Sequence, residues 1–237
     1  MVPVKMAVVH GGRHMDLPQA GHHGKEVGNV YSIKKCDKKI KQDILLGHIS
    51  LEFRGGKVYG LQGKNGSGKT MLMRAVCGLI TLSDGEIDID GEILHKDISF
   101  PRSIGALLEN PSFLNGYTGL ENLKLLADIR GGIEEKELRD CLVKVGLDAD
   151  DKRVYRKYSL GMKQKLGIAA AVMGSPDIVI LDEPINAIDE AGVEKVREIL
   201  RGLKERGSVI IVACHDREEL ELLSDEIIKI SKGGIIA

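Results

Sequence analysis

The chain has 237 residues, 34 Lys and Arg against 35 Asp and Glu, and a formal net charge of -1, enough length for one sizeable domain with or without a subdomain. So even a balance excludes a global electrostatic case for nucleic acid or for an anionic membrane surface. Cys36, Cys77, Cys141 and Cys214 form no C-x-x-C pair, and no apolar run nears the ~18 residues of a membrane span, which argues against a disulfide framework, a zinc site or an integral membrane protein.

Residues 1–26 are rich in Gly and His without a clear period and are expected to form a loose N-terminal extension. Its His10, His14, His22 and His23 lack the acidic or cysteine companions that would favour a metal site. Val8-Val9 is followed at once by His10-Gly11-Gly12-Arg13, which is no signal-peptide pattern, so a soluble, cytoplasmic chain is expected. From Val27 the pattern becomes strand-like. Lys34, Lys35, Lys38, Lys39 and Lys41 read as a solvated strand pair, and Ile49, Leu51 and Phe53 alternate with polar neighbours. Arg54-Gly55-Gly56-Lys57 then turns into the apolar strand Val58-Tyr59-Gly60-Leu61.

Gly63-Lys64-Asn65-Gly66-Ser67-Gly68-Lys69-Thr70 follows and matches the phosphate-loop pattern G-x-x-x-x-G-K-[ST] in full. A glycine-rich turn would be the plain alternative, but a strand precedes the motif and Leu72, Val76 and Leu79 mark a helix after it. Glycines let successive N–H groups converge on an anion, and the helix N-terminus adds positive potential. Gly63, Asn65, Gly66, Ser67 and Gly68 are therefore candidate phosphate-binding positions. Lys69 would reach the β- and γ-phosphates, and the Thr70 hydroxyl would ligate Mg²⁺.

Ser83 to Ile93 holds two Asp-Gly pairs around an alternating segment, predicting a hairpin with two such turns. Ile104 to Leu108 reads as a buried strand. A mainly helical stretch follows, with Leu138, Leu142 and Val145 at helical spacing. A further helix begins near Ser159. The apolar runs Ile178–Leu181 and Val209–Val212 read as buried parallel strands, separated by a helix with Val193, Val196, Leu200 and Leu203 on one face. Ile227–Ile230 with Gly233-Gly234 closes as a strand and turn. Alternation of this kind predicts an α/β fold: a mostly parallel sheet flanked by helices, a small antiparallel β subdomain, and a helical subdomain at about 109–160 inserted into the core of residues 27–237. Asp182-Glu183 end the first of those buried strands, at the carboxyl edge where α/β ligands bind. Asp182 is placed to hold Mg²⁺ through water, and Glu183 to polarise the water that attacks a γ-phosphate.

Tyr158-Ser159-Leu160-Gly161-Met162-Lys163-Gln164-Lys165 resembles the L-S-G-G-Q signature of ABC-type ATPases, and it lies just upstream of Asp182-Glu183 as in that family. Asn186-Ala187-Ile188-Asp189 resembles the family's D-loop, and His215 its switch histidine. The resemblance runs from about Val27 to the C-terminus. It implies a P-loop NTPase core that binds ATP and Mg²⁺ and hydrolyses ATP. It further implies head-to-tail pairing, as a homodimer or with another ATPase subunit, in which Ser159 and the Gly161 N–H contact the partner's γ-phosphate. His215 would contact the γ-phosphate in its own site, and Asp189 would link the two sites. Hydrolysis would open the pair and drive a separate transmembrane permease, placing the chain on the inner face of the membrane. No nucleic-acid partner is expected.

Three positions depart from the family pattern. Glu109 stands where a glutamine is usual and remains a candidate Mg²⁺ ligand; Leu160 and Met162 replace Gly and Gln. No aromatic stands clearly in the adenine-stacking place: Ile33 or Lys34 aligns there, with Tyr31 nearby, which predicts relaxed base preference. The run Ile104 to Phe113 and the signature look like ATP-binding subunits of bacitracin- and lantibiotic-type exporters, implying a drug or antimicrobial-peptide exporter. Permease contact is expected near Phe113, Leu114 and Tyr117. The rival readings are a non-transport ATPase of the same family acting on ribosomes or DNA, and a regulatory subunit with a degenerate site. The first is disfavoured by a single set of motifs, the second by Glu183 and His215.

Overall fold

A computed structural model describes residues 30–40 and 43–236 of the chain, so the expected extension at 1–26 and its histidines lie outside the described residues. Two sheets organise the molecule. In the first, β1 (Val30–Ile40), β2 (Asp43–Arg54), β4 (Asp84–Ile89) and β5 (Glu92–Ile93) run antiparallel in the order β2-β1-β4-β5. The exposed Lys34, Lys35 and Lys39 lie on β1 as expected of a solvated strand, the half-buried Lys38 donates to Thr81 O, and Lys41 lies outside the described residues. Asp90 and Gly91 join β4 to β5 with φ of 52° and 88°, the pair of positive values a two-residue type I′ hairpin requires. The earlier Asp84-Gly85 is no turn. It lies within β4 opposite the register shift between Lys34 and Asp37, with Gly85 at φ 86°. Only one of the two expected Asp-Gly turns therefore exists.

The second sheet has the order β10-β9-β3-β8-β7-β6. It comprises β3 (Lys57–Gln62), β6 (Ile104–Leu107), β7 (Ile178–Asp182), β8 (Val209–Ala213), β9 (Glu226–Ser231) and β10 (Gly234–Ile236). All pairings are parallel except the closing β9–β10 pair. Strands β6, β7 and β8 are buried at every residue, which explains their apolar composition up to Asp182 at the end of β7. Alternate side chains of β7 enter opposite cores. Val179 and Leu181 pack with the helices α2 (Gly119–Arg130), α3 (Glu135–Lys144), α4 (Leu160–Val172) and α5 (Glu190–Glu205), while Ile178 and Ile180 pack with α1 (Lys69–Val76) and the antiparallel sheet. Each such side chain, fully buried, contributes about 1.5–3 kcal/mol.

Local chemistry explains the helix boundaries. Thr118 and Glu121 form a reciprocal capping box at the start of α2, Ser159 Oγ accepts from Met162 N–H at the start of α4, and Asp216 caps α6 (Arg217–Leu223) through Glu218 and Glu219 N–H. Between β6 and β7 the chain makes α2, α3, a single 3₁₀ turn at Tyr155–Lys157, and α4. For the site, the decisive feature is strand order. Strands β3 and β7 flank β8, so the loop after β3 and the acids ending β7 emerge side by side at the carboxyl edge.

Candidate nucleotide-binding and hydrolysis site

Residues 65–70 of the loop line an open cleft of about 480 Å³ together with Asp182, Glu183 and His215, while Gly63 does not line it. Gly68, at φ 110°, leads into α1 without any side-chain cap, so the first-turn N–H groups of that helix face the cleft unclaimed by a side chain. The loop has little room. A Cβ on Gly63 would lie 2.3 Å from Ile230 O, and one on Gly68 would lie 3.0 Å from Leu45 O. The Lys69 ammonium is buried and donates to Gly63 O at 2.6 Å and Lys64 O at 3.4 Å, which folds it across the loop it would share with phosphates. Ser67 Oγ is buried with no hydrogen-bond partner, and a buried hydroxyl is expected to have one. A phosphate oxygen in the loop would supply it. These features fit a triphosphate.

Thr70 and Asp182, 112 residues apart, meet above the sheet: Thr70 Oγ1 donates to Asp182 Oδ2 at 2.7 Å. A hydroxyl and a carboxylate in contact are a hard-oxygen pair of the kind Mg²⁺ takes beside phosphates. Glu183 follows Asp182 in an unusual conformation. Its φ is 51°, a left-handed geometry that costs a non-glycine residue roughly 1–2 kcal/mol. Its N–H still donates to Ala213 O at 2.8 Å, extending the β7–β8 pairing by one residue. Its carboxylate accepts from the His215 main-chain N–H at 3.1 Å, and the His215 ring Nε2 lies 3.4 Å from the other oxygen. Burial raises the Glu183 carboxyl above its ordinary range, with the His215 hydrogen bond opposing that rise. A carboxylate shifted upward in a cleft and held by hydrogen bonds can accept a proton from water.

Other predicted residues are distributed differently. Ser159 and Gly161 are not among the cleft-lining residues; Ser159 is the exposed N-cap of α4, and Gly161 is half-buried in its first turn. Gly161 packs on the loop after β7, where an added Cβ would lie 2.5 Å from Ala187 O. Asp189 caps nothing with its side chain. It forms an ion pair with Lys165 of α4 at 2.7 Å within the same chain. Glu109, also at positive φ (60°), reaches the cleft but accepts from Arg74 Nη2 of α1 at 2.5 Å. It lines the same cleft as Thr70 and Asp182 without a hydrogen bond to either. Among the described residues, no three His, Cys, Asp or Glu side chains converge as a metal site.

The expected base contacts need correction. Ile33 and Tyr31 are 2% and 3% exposed and belong to the core beneath the antiparallel sheet, while Lys34 pairs with Glu86. The apolar wall of the cleft is instead Ile44 and Leu45, with Gly233 packed beside the Leu45 backbone. Ile44 lies in the part of the β1–β2 pairing beyond three register shifts, which no local pattern reveals. Sequence reasoning also missed Asn122. It is buried and holds the 114–118 turn through Leu114 O, Tyr117 O, Thr118 O and Leu114 N–H. That turn displays Leu114 and Tyr117 at 53% and 46% exposure, while Phe113 packs edge-on against Tyr155.

Comparison with known proteins agrees with this geometry. Residues 46–186 match the ABC transporter family model. An uncharacterized ABC transporter ATP-binding protein of Bacillus subtilis (strain 168) is 47% identical over 206 residues, covering 87% of this chain and 94% of that protein. The bacitracin transport ATP-binding protein BcrA of Enterococcus faecalis is 36% identical over 87% of this chain and 68% of its own length. The lantibiotic transport ATP-binding protein SrtF of Streptococcus pyogenes is 36% identical, over 87% and 89%. Among solved structures, an ATP-binding subunit of an ABC transporter superposes with a TM-score of 0.81 at 25% identity, covering 88% of each chain. A dimeric ATP-binding cassette bound to ADP and Pi reaches 0.79 at 23% identity over 87% of this chain and 97% of its own, which shows the shared fold. The matched region spans the phosphate loop, the signature helix and the Asp182-Glu183 edge: the chain belongs to the ABC transporter family.

Proposed function

We propose that this chain is the ATP-hydrolysing subunit of an exporter, working on the inner membrane face through a separate permease. The observation that carries the reading is the convergence of Lys69, Thr70, Asp182, Glu183 and His215 on one cleft. In the proposed reaction the phosphate loop N–H groups and Lys69 hold the triphosphate. Glu183 accepts a proton from water as its oxygen attacks the γ-phosphorus, and the bond to the β–γ bridging oxygen breaks, leaving ADP and inorganic phosphate. Mg²⁺, held by Thr70 and by Asp182 through water, would neutralise charge on the β- and γ-oxygens. His215 would orient the attacking water and the γ-phosphate.

Ser159 and the Gly161 N–H are proposed to complete the site of a second ATPase subunit, identical or paired. The exposure of Ser159 and the place of both residues outside their own cleft support this. The turn carrying Leu114 and Tyr117 is proposed as the permease contact, because exposed apolar side chains on an Asn122-braced turn suit docking. Among the described residues no helix is long and apolar enough to cross a membrane, so the span would belong to the partner. Similarity to the bacitracin and lantibiotic transport proteins supports a drug or antimicrobial-peptide cargo. Glu183→Gln should abolish steady-state phosphate release while retaining ATP-driven dimerisation, and Lys69→Ala should weaken nucleotide binding itself. A Glu183→Gln protein that turned over normally would overturn the assigned base.

A further inference from the structure

Gln164 sits in the second turn of α4 and is 6% exposed, yet it lines the nucleotide cleft. From Leu166 to Val172 the same helix is buried and carries only Gly and apolar residues. A buried amide among them is unfavourable unless its hydrogen bonds are made. Gln164 makes them with two consecutive main-chain carbonyls. Its Nε2 donates to Glu183 O at 2.8 Å and to Pro184 O at 3.2 Å, one for each of its two N–H groups.

Those two carbonyls belong to the strained step of the site. Glu183 is held at φ 51°, and Pro184 has no N–H with which to anchor the segment to the sheet. On its N-terminal side Glu183 is fixed by Ala213 O of β8. On its C-terminal side its carbonyl has only a long contact from Asn186 N–H, at 3.3 Å, apart from Gln164. The backbone on both sides of Glu183 determines where its Cβ, and so its carboxylate, points.

We infer that Gln164 is a positioning residue for hydrolysis: its amide clamps the Glu183–Pro184 carbonyls and so aims the Glu183 carboxylate at the attacking water. This rests on the assignment of Glu183 as the base. It also gives α4 a mechanical role. Gly161, three residues earlier, packs on Ala187 O, and Lys165 holds Asp189, so the loop from 183 to 189 is seated along the first two turns of one helix. A shift of the exposed helix start is thereby delivered to the base.

Gln164→Met keeps the side chain's length and removes both donors. In phosphate-release assays its kcat should fall about ten- to a hundredfold, since a misplacement of ~1 Å can cost on the order of 10²-fold. KM for ATP and affinity for a fluorescent nucleotide analogue should stay within about twofold, because the phosphate loop is untouched. Gln164→Lys restores N–H donors at similar reach and should recover part of the lost kcat. In single-turnover assays on a Glu183→Gln background, Gln164→Met should cause no further loss, because the group it aims is already absent. Should the methionine variant fail to fold, Gln164→Leu makes the same comparison with Gln164→Lys at matched melting temperature. Unchanged kcat in Gln164→Met, equal losses in the apolar and Lys variants, or an undiminished loss on the Glu183→Gln background would each overturn the role of Gln164. A normally active Glu183→Gln protein would overturn the base assignment and this inference with it; an inactive one beside a normal Gln164→Met would overturn this inference alone.

Discussion

Gly161→Ala adds one methyl group at a close contact between the signature helix and the loop after β7. The new Cβ would lie 2.5 Å from Ala187 O, a main-chain atom, and Ala187 is itself held at φ 61°. Ordinary van der Waals contact begins near 3.4 Å, so helix and loop must part by about 0.9 Å, a displacement of the size that costs on the order of 10²-fold in rate. That is about 2.7 kcal/mol on the activation barrier, at 1.36 kcal/mol for each factor of ten. Helix propensity acts the other way, since Ala is favoured over Gly by about 0.8–1.0 kcal/mol in a helix interior and by less near its end. The expected signature is therefore a folded protein of near-parental melting temperature, intact binding of a fluorescent nucleotide analogue, and phosphate release reduced about a hundredfold. Turnover within about twofold of the parent would refute the argument that the close approach of α4 and the loop is needed for hydrolysis.

Four further outcomes follow from particular contacts. Tyr31→Ala should destabilise the fold by about 3–5 kcal/mol in urea melts, as large-to-small core changes do, and leave the ATP-to-GTP affinity ratio unchanged; a selective loss of ATP binding in a stable variant would contradict its place in the core. Thr118→Ala removes the capping box of α2 and should cost about 1 kcal/mol by chemical denaturation. Burial pushes the Cys36, Cys77 and Cys141 thiols up to about 11, 12 and 11 and raises Cys214 as well, so a disulfide thiol reagent at pH 8 should label none of the four until the protein unfolds. Burial pushes the Asp225 carboxyl upward, but Lys204 and the Val58 N–H outweigh it and leave its pKa lowered. A lowered carboxylate stabilises the fold above its unfolded value near ~3.9 and loses that contribution as pH falls through the folded value. Asp225→Asn should accordingly flatten the acid limb of melting temperature below about pH 4.

Much of this protein could be read from the chain in order, because the chemistry involved is local. A strand, a glycine-rich turn and a helix start lie within a few residues of one another at Val58 to Leu72, so the phosphate loop needs only its own neighbours. The buried strand ending in Asp182-Glu183 and the Ser159 cap are equally self-contained. The hairpin at Asp90-Gly91 was legible for the same reason, whereas Asp84-Gly85 carried the same two letters without being a turn. What distinguishes the two is the pairing of β4 with β1, some fifty residues away.

Residue types and their order therefore determined the α/β class, the phosphate-loop motif and the family. Tertiary structure decided how those residues are held. Strand order brings Thr70 to Asp182 across 112 residues. Packing of the antiparallel sheet buries Tyr31 and Ile33, and Ile44 and Leu45 supply the apolar wall of the cleft. Arg74 takes the Glu109 carboxylate, Lys165 takes Asp189, and Gln164 takes the carbonyls of Glu183 and Pro184. The physical reason is the same in each case: a side chain's donors and acceptors are declared by its identity, but their partners are chosen only when elements distant in sequence pack and exclude water.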